Sequence, residues 1–91
     1  MSEASSAHNV NITQVATSTT SAEAIPTRPG RRAVTIKNTD AAIVQYIGIG
    51  TVTSTNGYPL AAGAEIRIES RAAINALAAS GTPRLAYIEE F

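Results

Sequence analysis

The segment from residue 31 to residue 48 restricts the fold of this chain more than any other. Its first part, Ala33 to Asn38, reads as a strand, and Asn38-Thr39-Asp40 supplies the residue types that make turns. Val34 and Ile36 are two positions apart, so in a strand their side chains point to one face. A second strand-like run follows and ends at Gly48. Two short strands joined by a polar turn predict antiparallel β structure.

The composition of the whole chain agrees with a β fold. Isoleucine outnumbers leucine ten to three, and isoleucine, valine and threonine together give 26 of the 91 residues. Their branched Cβ atoms fit the pleated surface of a strand better than the crowded turn of a helix. We therefore predict an all-β fold: a small antiparallel β-sandwich or jelly-roll-like domain.

Alternation along the chain predicts the other strands. Residues 65–70 alternate most clearly, with Ile66 and Ile68 inward beside Ile36 and Ile47 in one core. Residues 71–79 are ambiguous because alanine favours helix, and we expect a helical turn at 71–73 before a strand at 74–79. The remaining expected strands cover residues 10–17, 42–48 (central, with both faces covered) and 85–89, and residues 22–25 are expected to form a short extended piece. The polar residues 1–9 are expected to form a flexible N-terminal arm, and residues 10–91 a single domain.

Large apolar side chains are scarce for a domain of this size. Alanine supplies 17 of the 40 apolar residues, there is no tryptophan, and no cysteine is present to form a disulfide. A small domain with a thin core gains stability by burying surface against another subunit. We therefore expect an oligomer, with a trimer slightly ahead of a dimer.

Charge and hydropathy argue against several partners. Seven basic and seven acidic residues give a net charge of zero, so no overall field attracts nucleic acid or anionic lipid. The apolar runs are too short to span a bilayer, and the N-terminus lacks the pattern of a secretory signal. The absence of cysteine fits synthesis in a cytoplasm. We predict no nucleic-acid partner and no membrane partner.

No set of residues suited to catalysis can be assembled from the sequence. His8 is the only histidine, so neither a His-rich metal site nor a nucleophile–histidine pair is expected. Glu89 and Glu90 are adjacent, face opposite sides of a strand, and are interpreted as a solubilising terminus. Gly48-Ile49-Gly50 lacks the third glycine and the helix of a phosphate-binding loop. We predict no enzymatic activity and no cofactor.

The candidate contacts with a partner are three arginines and one tyrosine. Arg28, Arg31 and Arg32 form the only basic cluster, which can pair with acidic groups on a protein, contact phosphate, or remain a solvated strand edge. Tyr58 lies in a predicted turn and is the one tyrosine placed to be exposed.

A series of short motifs resembles small virion proteins of tailed bacteriophages. The motifs are Pro29-Gly30-Arg31-Arg32, Ile36-Lys37-Asn38, Tyr46-Ile47-Gly48 and Asn56-Gly57-Tyr58-Pro59-Leu60, followed by residues 62–66 and 79–85. The resemblance covers about residues 22–90, and none of these motifs is catalytic. It implies a structural protein of the virion, made in the host cytoplasm, whose partners are the major capsid protein and copies of itself.

Within that family the leading expectation is a capsid decoration, or cement, protein that stabilises the head by bridging major capsid subunits. The alternative is a head or tail fibre module that binds a host-surface glycan. Exposed aromatic side chains on one face would favour the alternative, and only Tyr58 is a candidate for that role.

Overall fold

The structure is a computed structural model that describes residues 10–91, and these residues form eight strands. The predicted arm at residues 1–9 lies outside the described residues. The strands are β1 (Val10–Ala16), β2 (Ala22–Ile25), β3 (Ala33–Asn38), β4 (Gln45–Gly48), β5 (Tyr58–Leu60), β6 (Glu65–Ile68), β7 (Ile74–Ala78) and β8 (Arg84–Glu90).

The strands form two antiparallel sheets of four. The first sheet has the order β1-β8-β3-β6 and the second has the order β2-β7-β4-β5. The first strand therefore pairs with the last, the second with the seventh, the third with the sixth, and the fourth with the fifth. This strand order is that of a jelly roll, in which a long antiparallel ribbon is wrapped into two packed sheets. The predicted all-β sandwich is confirmed.

The core lies between the two sheets, and all eight strands contribute side chains to it or pack against it. Among its fully buried side chains are Ile25, Val34, Ile36, Ile47, Leu60, Ile74 and Leu85, and Ile66 and Ile68 pack against them while half-buried. The four isoleucines predicted to share a core therefore do so. Tyr87 is buried in the same cluster.

The strand predicted at residues 42–48 begins only at Gln45, because side chains capture the backbone before it. The Asp40 carboxylate accepts the N–H groups of Ala42 and Ile43, at 2.9 and 2.8 Å, and this local turn competes with strand pairing. Tyr46 is only half-buried, so the expectation that this strand is covered on both faces is wrong.

Two other local predictions need correction. Residues 71–73 form a bend without helical structure, in which the Ser70 hydroxyl accepts the Ala72 N–H at 3.1 Å. The sequence prediction also omitted the three-residue strand β5, which contains Pro59. Proline cannot donate to a ladder, but β5 is an edge strand, where that loss is tolerated.

Candidate interaction surface

The most exposed apolar side chains of the first sheet lie together on its outer face. Val10 and Ile12 project from β1, and Ile88 projects from β8 directly opposite Ile12. Their exposed fractions are 54% for Val10, 71% for Ile12 and 39% for Ile88. These three residues are called the apolar patch. Cross-strand pairs of β-branched side chains stabilise a sheet, but their exposure leaves apolar area available to a partner.

An open groove of about 370 Å³ adjoins the apolar patch. It is lined by Val10 and Ile88 of the patch and by Arg32, Glu90 and Phe91. The Glu90 carboxylate lies 3.2 Å from the guanidinium of Arg67 on the same outer face. The hydrogen bonds that Arg67 donates to Glu90 and then to Glu69 raise its pKa further above its already high ordinary value. The groove therefore combines an apolar floor with charges of both signs at its rim.

On the inner side of the same strands, polar side chains replace the apolar core. The Glu89 carboxylate accepts hydrogen bonds from Arg31 at 2.8 Å, from Asn11 at 2.8 Å and from Arg28 at 3.2 Å. The side chains of Arg31 and Glu89 are both fully buried. These four residues, Asn11, Arg28, Arg31 and Glu89, are called the charged cluster. A buried ion pair requires such additional hydrogen bonds to offset the loss of water from both charges.

The Arg31 guanidinium also binds three backbone carbonyls. It donates to Pro26 at 3.1 Å, to Ser70 at 2.9 Å and to Ala72 at 2.7 Å. Arg31 thus joins the β2–β3 and β6–β7 connections to the end of β8. The charged cluster holds the backbone beneath the apolar patch in one arrangement.

The pKa of Glu89 reflects two opposing effects. Burial raises it, but the hydrogen bonds from Asn11, Arg31 and Arg28 outweigh burial, and the pKa lies below its ordinary value of 4.5. Glu89 is therefore ionised at neutral pH. This corrects the interpretation of Glu89 and Glu90 as a solubilising terminus: the two do face opposite sides, but Glu89 is interior.

A second polar group, here called the amide cluster, lies at the opposite end of the same strands. Its members are Thr17, Asn38 and Gln45, all buried. Gln45 donates to the Asn38 side-chain oxygen at 2.7 Å and accepts from the Thr17 hydroxyl, while Asn38 donates to the carbonyls of Ile43 and Leu60. The cluster ties the ends of β1 and β3 to the loop before β4.

The structure separates the four residues that the sequence proposed as partner contacts. Arg31 is buried and bound within the chain, so the expectation that it contacts a partner is wrong. Arg28 is 41% exposed but bound to Glu89, and Arg32 is exposed at the groove beside the apolar patch. Tyr58 is 56% exposed and lies on β5 of the second sheet, away from the arginines.

The sequence did not identify the apolar patch. A weak signal was present, since Val10 and Ile12 alternate with Asn11 and Thr13, but alternation alone predicts that the apolar set faces inward. The structure reverses this because Asn11 turns inward to Glu89 and Val15 packs against the core. The apolar side chains of the first half of β1 are thereby directed outward.

Within residues 10–91 no three His, Cys, Asp or Glu side chains come together as metal ligands would. The same part of the chain has no helix of the length and hydropathy that crossing a bilayer requires. His8 lies among residues 1–9 and is not described. Comparisons with known protein families, with curated proteins and with solved structures yield no match to this chain.

Proposed function

We propose that this chain is a non-enzymatic structural protein of a tailed-bacteriophage virion, a capsid decoration or cement protein. In this role it binds major capsid subunits and bridges neighbouring copies, which stabilises the head. The motif series between residues 22 and 90 supports the virion assignment. Jelly rolls occur in viral capsid proteins, but also in lectins and enzymes, so the fold by itself does not decide the function.

The observation that carries the proposal is the exposed apolar patch above the hydrogen-bonded charged cluster. Val10, Ile12 and Ile88 present branched side chains on an ordered sheet, and a groove with Arg32 and Phe91 lies beside them. Protein interfaces combine an apolar centre with a polar, hydrogen-bonding rim. A surface of this kind suits a protein partner better than a small substrate.

A binding experiment on particles that lack this protein tests the proposal. Purified wild-type chain is added to such heads, and we expect saturable binding and a higher temperature of head disruption. The variant Ile12→Lys places a charge in the apolar patch and should bind at least about tenfold more weakly. Ile49→Lys is the matched control, because Ile49 is 63% exposed but lies outside the patch.

Two outcomes would contradict the proposal. One is no binding of the wild-type chain to heads; the other is equal loss of binding in Ile12→Lys and Ile49→Lys. Saturable binding on a glycan array would instead favour the fibre-module alternative. Tyr58 is the one aromatic side chain more than a third exposed within residues 10–91, so that part of the chain offers a sugar a single ring.

A further inference from the structure

Strand β1 lies at one edge of the first sheet, and no strand in the described part of the chain pairs along its outer side. It is seven residues long and pairs with β8 without interruption, from Val10 opposite Glu90 to Ala16 opposite Arg84. A long, regular edge strand presents a row of unpaired backbone N–H and C=O groups to any strand that approaches.

The backbone groups at this free edge can be assigned from one hydrogen bond. Thr17 donates its N–H to the Pro83 carbonyl of the neighbouring strand at 2.8 Å, in the same register as the rest of the β1–β8 pair. Backbone groups alternate in direction along an antiparallel strand. Those of Thr13 and Val15 therefore point to β8, and those of Ile12 and Gln14 point to the free edge.

The other three sheet edges carry features that discourage pairing, and β1 carries none of them. β6 is four residues long and has Glu65 and Arg67, β5 is three residues long with Pro59, and β2 has a register shift after Glu23. Charges, proline, short length and bulges are the devices by which natural sheets protect their edges. The sequence of β1, VNITQVA, contains no charge, proline or glycine.

We propose that β1 pairs antiparallel with β1 of a second copy of this chain, about a two-fold axis at Thr13. This register pairs all seven residues, with Ile12 opposite the partner's Gln14 and Val10 opposite the partner's Ala16. The backbone N–H and C=O groups that form hydrogen bonds between the two β1 strands are the ones that already point to the free edge. Because β1 is uncharged, the two-fold axis brings no like charges together within the paired strands.

The pairing leaves the outer face of the joined sheet open and enlarges its apolar surface. Ile12 and the partner's Ile12 become diagonal neighbours on that face, each flanked by its own Ile88. The two apolar patches thus become one continuous stripe across an eight-stranded sheet. The biological role of the dimer rests on the proposed function, in which this stripe is the surface that contacts the capsid.

In this register Val10 lies beside the partner's Ala16. A groove of about 260 Å³ opens there, lined by Ala16, Thr17, Ser18, Ala22, Glu23, Ala24, Ala76 and Thr82. Its small side chains give a neighbouring chain room to approach.

Analytical ultracentrifugation of the full chain and two variants at Gln14 tests this interface. Gln14→Pro removes an N–H at the free edge without removing a β1–β8 hydrogen bond, and Gln14→Ala keeps that N–H. We expect a wild-type dimer at micromolar concentration, a dissociation constant raised at least about tenfold by Gln14→Pro, and a change within about twofold for Gln14→Ala. A wild-type monomer, or an oligomer unaffected by Gln14→Pro, would overturn the proposal.

A cross-linking experiment remains decisive if Gln14→Pro fails to fold. The chain has no cysteine, so Thr13→Cys introduces a single thiol on the proposed axis. Residues facing each other at a non-hydrogen-bonded position have Cα atoms about 4.5 Å apart, within the range of a disulfide. Oxidation should give a covalent dimer for Thr13→Cys and none for Thr35→Cys, which lies inside the sheet on β3. Equal cross-linking of the two variants would overturn the interface.

These measurements use the isolated chain, whereas the proposed function is tested by binding to heads. A monomer that binds heads would refute the dimer and leave the decoration role intact. A dimer that does not bind heads would support the β1 interface and refute the decoration role.

Discussion

The charged cluster and the amide cluster occupy opposite ends of strands β1, β3 and β8, and both connect loops to the sandwich. In the charged cluster a buried ion pair between Arg31 and Glu89 is completed by Asn11 and Arg28. In the amide cluster the side chains of Asn38 and Gln45 bond each other and backbone carbonyls without any charge. The two ends of one sandwich are thus held by different interactions, a buried ion pair at one end and uncharged hydrogen bonds at the other. Only at the end with the charged cluster should the free energy of unfolding depend on pH and fall strongly when one partner is removed.

The largest effect on stability is expected for Arg31→Met. The substitution removes the fully buried cation that faces Glu89, which keeps only Asn11 and the partly exposed Arg28 as partners. Loss of one partner of a buried ion pair costs about 3–5 kcal/mol. Arg31 also binds three backbone carbonyls that would lose their donor. Urea unfolding measures the change in free energy.

The control for this variant is Arg67→Met. Arg67 also forms two ion pairs, with Glu69 and Glu90, but its side chain is 49% exposed. Exposed pairs contribute little, so the unfolding free energy should stay close to that of the wild type. Similar losses in the two variants would show that the interior position of Arg31 has no special importance.

A smaller effect is expected for Asn38→Ala in the amide cluster. The substitution removes the side-chain donor to the carbonyls of Ile43 and Leu60 and one of the two acceptors of the Gln45 amide, at a cost of about 1–3 kcal/mol. The same urea measurement applies. If Asn38→Ala destabilised the fold more than Arg31→Met, the ranking of the two clusters would be wrong.

The pH dependence of stability should also distinguish the two clusters. The folded-state pKa of Glu89 lies below its ordinary value of 4.5, so its contribution is present above pH 4.5. That contribution is lost as the pH falls from 4.5 through the folded-state pKa, because the unfolded chain binds the proton more readily. Hydrogen bonds from the N–H groups of Ala42 and Ile43 also lower the pKa of the half-buried Asp40, which acts in the same direction.

Unfolding curves between pH 7 and pH 3 for wild type, Glu89→Gln and Asn38→Ala measure this difference. We expect a shallower acid decline for Glu89→Gln than for the wild type, and an unchanged decline for Asn38→Ala. A wild-type slope in Glu89→Gln would assign the acid sensitivity to other carboxylates such as Asp40.

The smallest effect on stability is expected from deleting residues 1–9. Every residue of the two clusters lies outside this segment, so the unfolding free energy should change little, whereas attachment to heads should weaken. Parallel unfolding and head-binding measurements check the two halves of this prediction. Unfolding of the truncated chain, or undiminished binding, would contradict it.

The strands were largely predictable because side-chain alternation is a local property. β3 has the predicted bounds, β2 forms where a short extended piece was expected, and residues 65–68 alternate as expected between exposed and half-buried. Apart from the omitted strand β5, two errors arose where side chains bond the backbone. The Asp40 carboxylate delays the start of β4, and the Ser70 hydroxyl participates in a bend where a helical turn was expected.

The interior role of Arg31 could not be predicted in the same way. The period-2 set of β3 places Arg32 on the side of Val34 and Ile36, but both arginines precede the strand and the alternation does not extend to them. The buried partner, Glu89, is 58 positions away along the chain. Only the pairing of β8 with β1 and β3 brings this carboxylate to the arginines.

The most direct test of the decoration role is a difference map between intact particles with and without this protein. A decoration protein that bridges subunits should give additional density on the outer surface of the head, of the size of this domain or its dimer, that contacts at least two neighbouring capsid subunits. Density confined to a fibre or the tail, or density on the head that touches a single capsid subunit, would contradict the proposed bridging function.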